Sequence, residues 1–132
     1  AWDALEYVTK VVTREINACG DNPIVFVGSE PIEGGNFHGA PLGLALDHLK
    51  IALTQAASMS ERRIFRMTYG QLSGLPSFLV KDNGLNSGLM LAQYTAASLV
   101  SECKGLAHPA CVDSVPTVQH HEDHPLSQGC DA

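Results

Sequence analysis

Two long stretches of this chain carry no charge, and both have helical character. Ile51 to Ser60 lies between Lys50 and Glu61, and Asn83 to Ser101 lies between Asp82 and Glu102. A helix bounded by water needs a polar face, and a helix apolar around much of its circumference must be covered by neighbours. From Pro41 to about Met67 the only weak point is Gly43, which predicts one long helix of about 40 Å at 1.5 Å per residue. Its leucines at 42, 44, 46, 49 and 53 point in several directions. Leu85 to Ala107 predicts another long helix, in which Gly88, Ala92, Ala96, Ala97 and Ser98 permit close helix approach. Asn86, Ser87, Gln93, Tyr94, Thr95 and Ser98 make it too polar for lipid, so a bundle interior fits better than a membrane span.

The remaining segments fit around these two. Trp2, Leu5, Val8, Val11, Val12, Ile16 and Cys19 recur at steps of three and four, which predicts an amphipathic first helix ended by Gly20. Asp21-Asn22-Pro23 breaks it. Ile24 to Val27 reads as a short strand, and Gly28 to Gly39 as a loop or small hairpin. Ser73-Gly74-Leu75-Pro76 and Asp82-Asn83-Gly84 have turn chemistry, and Pro109 stops the last helix. The expected fold class is all-α, a long-helix bundle with one short loop or hairpin region, in a single partial domain over residues 1–132.

Composition limits the partners. Hydrophobic residues make up 45% of the chain and charged residues 17%, against about 25% charged in an ordinary soluble domain. A surface with that little charge is expected to meet another surface. The net charge of -6, without a run of Lys or Arg, argues against nucleic acid. Cys19, Cys103, Cys111 and Cys130 form no CxxC pair and read as reduced thiols of a cytoplasmic protein. Asp3 and Glu6 stand where an export signal would be basic and then apolar.

Taken singly, the candidate functional residues are ambiguous. His120, His121 and His124 suggest a metal, but His121-Glu122-Asp123-His124 is one residue short of HExxH, and Pro125 disfavours the helix that would pair His120 with His124. Glu122 is either a carboxylate with a raised pKa suited to acid, base or ammonium pairing, or a surface ion-pair residue. Phe37, among glycines, is either a core plug or a ring lining an aromatic pocket. Asn22 is by itself a turn former before Pro23.

In order along the chain, the motifs are more specific. Asp21-Asn22-Pro23-Ile24-Val25-Phe26, Gly34-Gly35-Asn36-Phe37-His38-Gly39, Met59-Ser60-Glu61-Arg62-Arg63-Ile64, Leu72-Ser73-Gly74-Leu75-Pro76, Gly84-Leu85-Asn86-Ser87-Gly88, Leu106-Ala107-His108-Pro109-Ala110 and Glu122-Asp123-His124 together resemble the aromatic amino acid ammonia-lyase family. The resemblance runs from about Leu5 to His124. It implies the fumarase/aspartase-like helical fold, a larger homotetrameric subunit of which this chain is a central segment, and a small amino acid as substrate. It also implies a methylidene-imidazolone (MIO) electrophile made from an Ala-Ser-Gly triplet, with a tyrosine base, for non-oxidative elimination of ammonia. No metal and no membrane partner are implied.

Carried over by position, the resemblance makes Phe37 the pocket phenylalanine near the substrate ring. Asn22 becomes an asparagine that helps hold the substrate carboxylate or orient the prosthetic group. Glu122 matches the glutamate of histidine-type members, where phenylalanine-type relatives have glutamine. A carboxylate pairs with an imidazole or ammonium more strongly than an amide does, which favours histidine, with tyrosine and phenylalanine as alternatives. No residue of this chain is thereby assigned to catalysis, Glu122 being the one candidate. No Ala-Ser-Gly triplet occurs; Leu72-Ser73-Gly74 and Asn86-Ser87-Gly88 come nearest, and both match other motifs. The chain alone is therefore expected to be inactive. After His124 it reads Pro125-Leu126-Ser127-Gln128-Gly129 where the family usually continues Val-Ser-Met-Gly. Two readings of other classes remain: a non-catalytic helical oligomerisation module and a small His-rich metal-binding protein.

Overall fold

The computed structural model describes residues 1–33, 36, 38–113, 115–117 and 122–124, the last two groups by their backbone. Helices dominate: α1 (Trp2–Ile16), α2 (Ala40–Thr68), a single turn α3 (Gly70–Ser73) and α4 (Met90–Leu106). Short 3-10 turns cover Ser77–Leu79 and Ala110–Val112, and a small antiparallel hairpin pairs β1 (Val115–Thr117) with β2 (Glu122–His124). The chain gathers into two compact units, one of residues 1–50 and 108–132, the other of residues 51–107.

In the first unit, Ala4, Val8 and Val11 are buried on α1 at steps of four and three, one stripe of a 3.6-residue helix. Val8 and Val11 meet Ala45 of α2, with Val12 and Leu49 packed alongside. Tyr7 and His48 add an edge-on ring contact at 5.6 Å. The buried stripe is narrower than the expected one: Trp2, Leu5 and Ile16 stay exposed. The helix also ends earlier than Gly20, because Asn17 Nδ2 donates to the Thr13 carbonyl at 2.6 Å and so satisfies an acceptor the helix end leaves open.

The expected strand at 24–27 reduces to one bridge. Ile24 and Ile32 exchange both backbone hydrogen bonds, at 2.8 and 2.9 Å, while Val25, Phe26 and Val27 between them are exposed. With one paired residue on each side, the segment is a narrow loop closed at its neck. At the far end, Gly39 takes φ +65° just ahead of α2 and lends its carbonyl to the Gly43 amide at 3.0 Å. That left-handed geometry suits glycine.

In the second unit, Thr54 Oγ1 donates to the Cys103 carbonyl at 3.2 Å and Gln93 Nε2 donates to Glu61 Oε1 at 3.1 Å. Positions rising along α2 meet positions falling along α4, so residues 51–68 and α4 lie antiparallel. Helix α4 starts at Met90, five residues after the expected Leu85, because the preceding residues form a loop with tied ends. The Leu89 amide donates to the Phe78 carbonyl at 2.9 Å, and residues 81–89 between Val80 and the helix are exposed. A Cβ on Gly88 would sit 2.5 Å from the Phe78 carbonyl oxygen and 2.8 Å from Val80 Cβ. Phe78 and Leu79 pay for the tight closure with φ of 55° and 53°, a region costly for side chains of that size.

Candidate active site

Asn22, Asn36 and Glu122 all belong to the first unit, along with α1 and residues 40–50 of α2. Asn22 is exposed and joined to Pro23 through a cis peptide, its amide donating to Asp21 Oδ1 at 2.9 Å. Phe37 lies outside the described residues, so its expected place against a substrate ring is neither met nor contradicted by geometry. Its neighbour Asn36 is half-buried and reaches back across the loop, its Nδ2 donating to Glu15 Oε2 at 3.0 Å. An open cleft of about 340 Å³ runs along this contact, lined by Val12, Glu15, Ile16, Gly20, Asn36 and Leu42. One wall is apolar and the other carries a carboxylate, a combination able to receive a small amphipathic molecule.

Glu122 enters the unit through the hairpin. Its backbone stands opposite Thr117, Asp123 opposite Pro116 and His124 opposite Val115. The segment 122–124 is extended, so the helical spacing that would set His120 four residues from His124 on one face does not hold at this end. His120 and His121 lie outside the described residues. Among the described residues, no group of three or more His, Cys, Asp or Glu is placed to hold a metal ion, and no helix is long and apolar enough to cross a membrane. Cys19, Cys103 and Cys111 are free thiols.

Two buried carboxylates were not among the candidate site residues read from sequence. Asp47 on α2 is 2% exposed. Its Oδ2 accepts the Cys111 amide at 2.8 Å, and its Oδ1 takes no directional hydrogen bond but lies 2.6 Å from Lys50 Nζ. Burial pushes its pKa up. The Cys111 thiol, the Lys50 ammonium and the amides of Cys111 and Ala110 together outweigh that and hold it at about 2. The Cys111 thiol is pushed up in turn, first by its hydrogen bond to Asp47 and then by burial. In the second unit, Glu61 is 5% exposed, with Arg62 Nη2 at 2.6 Å and Gln93 at 3.1 Å. The Arg62 hydrogen bond lowers its pKa against the opposing effect of burial. The α-helical spacing of Asp47 and Lys50 was readable as an i, i+3 pair. The burial that gives it weight depends on Cys111, 64 residues away, and no local pattern announces that.

Known proteins share the sequence pattern and the fold of this chain. A family model of aromatic amino acid lyases matches residues 1–131. The chain is 56% identical over 123 residues to a histidine ammonia-lyase of Caldanaerobacter subterraneus subsp. tengcongensis, covering 92% of this chain and 24% of that protein. It is 58% identical over 124 residues to histidine ammonia-lyase 1 of Fusobacterium nucleatum, again covering 92% and 24%. Among solved structures, it superposes on histidine ammonia-lyase from Trypanosoma cruzi with a TM-score of 0.86 at 46% identity, over 96% of this chain and 25% of that one. Tyrosine aminomutase from Streptomyces globisporus gives a TM-score of 0.85 at 39% identity, over 98% and 25%. The chain thus spans about a quarter of the length of the relatives it matches.

Proposed function

The chain belongs to the aromatic amino acid lyase family, and from that premise we propose that it is an interior segment of a histidine ammonia-lyase, which eliminates ammonia from L-histidine to give urocanate. The observation that carries the reading is identity above half of all positions with histidine ammonia-lyases over nearly the whole chain. Glu122, in the position where the family's histidine-type members have glutamate, supports the choice of substrate. So does the chemistry: a carboxylate can hold an imidazole or an ammonium by a charge-assisted hydrogen bond.

The roles proposed for this chain's residues are binding and orientation. Phe37 would line the pocket for the substrate ring, Asn22 would help hold the substrate carboxylate, and Glu122 would pair with the imidazole. The family's methylidene-imidazolone group supplies an electrophile for the amino group of the substrate. It is built from Ala-Ser-Gly, and these 132 residues contain no such triplet, so none of its chemistry is assigned to residues of this chain. The working enzyme would be a homotetramer of complete subunits.

Urocanate absorbance tests the reading. The chain alone is expected to give none, and a complete subunit containing this segment is expected to turn over histidine. In that subunit, Glu122→Gln should raise KM for histidine about tenfold, the worth of one charge-assisted hydrogen bond. A complete subunit that ignores histidine and deaminates tyrosine or phenylalanine would move the assignment to that branch of the family.

A further inference from the structure

Asp47 is a buried carboxylate to which the proposed reaction gives no task. Taking such a group out of water is costly unless its charge and lone pairs are met. Here they are met by Lys50, one turn along the same helix, and by the backbone of a segment far along the chain. The amide it holds belongs to Cys111, in the middle of the 3-10 turn Ala110–Val112. The next described element is β1, which begins at Val115 and pairs with β2 so that Thr117 faces Glu122. A path therefore runs from α2 through the hydrogen bonds that the Asp47 carboxylate accepts, the turn and the ladder to residue 122.

A two-stranded hairpin with three residues in each strand is marginal by itself. Its placement depends on how its root is fastened. The Cys111 amide and thiol and the Ala110 amide all bond to Asp47, and they tie this root to a long helix. A carboxylate acceptor makes those bonds shorter and stronger than a neutral one would. We propose that Asp47 is a positioning residue for Glu122, fixing the root of the hairpin that presents it to substrate. The proposal rests on the reading of Glu122 as a substrate contact.

The test uses a complete lyase subunit carrying this segment, with Asp47→Ala, Asp47→Asn and Glu122→Gln. Asp47→Ala is expected to speed deuterium uptake across residues 108–124 about tenfold, and to raise KM for histidine about tenfold with a smaller change in kcat. Its preference for histidine over phenylalanine should fall as in Glu122→Gln. Asp47→Asn retains an acceptor for the Cys111 amide and should stay within about threefold of the parent in KM. Loss of folded enzyme alone would lower kcat per total protein and leave KM and preference unmoved, which would overturn the proposal. A normal effect of Glu122→Gln beside an inert Asp47→Ala sinks the proposal and spares the reading of Glu122. An inert Glu122→Gln sinks both. Should Asp47→Ala fail to fold, Asp47→Glu keeps the charge opposite Lys50 while moving the acceptor by one methylene, and the same rise in KM and uptake is expected, with parental values counting against the idea.

Discussion

The side-chain amide of Asn36 donates to the carboxylate of Glu15 at 3.0 Å, fastening the glycine-rich loop beside Phe37 to the last turn of α1. The contact is half-buried, so its worth lies between that of an exposed pair and a buried one, on the order of 1 kcal/mol. Glu15→Ala and Asn36→Ala, alone and together, should show a coupling of about that size by urea denaturation. Purely additive losses would mean that the loop is held by something else.

Acid should loosen the first unit through Asp47. Its folded pKa, about 2, lies below its ordinary 3.8, so the unfolded chain binds the proton more readily. The resulting stability is fully present above about pH 4 and is lost as pH falls through 2, an amount on the order of 1–2 kcal/mol. Denaturant titrations at pH 5 and pH 2.5 should show Asp47→Asn losing less than the parent by that margin. Parallel losses would remove Asp47 from the account of acid sensitivity.

Thiol chemistry gives an independent view of the same cluster. Cys19 is exposed, whereas the half-buried Cys111 has its thiol pushed up by the hydrogen bond it donates to Asp47 and by burial. Since the thiolate is the reacting form, iodoacetamide at pH 8 should modify Cys111 about tenfold more slowly than Cys19, as read by peptide mass mapping. Asp47→Asn should narrow the gap by speeding Cys111. Equal rates in the parent would contradict the geometry.

Gly88 has no room for a methyl group. It takes φ +49°, and a Cβ there would press on the Phe78 carbonyl and Val80. Gly88→Ala should therefore cost about 2–4 kcal/mol, more than an ordinary helix-flanking substitution. Gly84, at φ +102° but with open space around it, is the control, and its alanine variant should lose about 1 kcal/mol. Melting temperatures ranked the other way would refute the steric argument.

Exposed apolar side chains predict how the chain behaves in solution. Leu53 and Met59 on α2 and Leu91 and Leu99 on α4 are each more than half exposed, and apolar surface of this kind seeks cover. Sedimentation at micromolar concentration should find self-association, or else the chain should light up a hydrophobic dye. A dye-negative monomer would count against it.

How much of this could be read beforehand varied with the range of the forces involved. The two charge-free stretches located α2 to within a residue or two at each end and the body of α4, because helix period and breakers are local. The start of α4 was misplaced, since the bond between Leu89 and Phe78 that ties the preceding loop reaches across eleven positions. The strand at Ile24 shrank to a bridge for want of a partner, and only Ile32 supplies one. The hairpin at 115–124 went unread, with Pro116 pointing to interruption where an edge residue can sit in a two-stranded ladder. Family motifs drew attention to Asn22, Phe37 and Glu122 as candidates. They gave no sign of Glu15 or Asp47, whose importance comes from partners that only folding brings near.

The loop between Phe78 and Leu89 has its two ends stapled together and its middle in solvent. Lengthening a closed loop costs little, since closure entropy grows only with the logarithm of its length. Residues 81–83 are accordingly the place where an epitope or fluorophore could be inserted without disturbing the helices on either side.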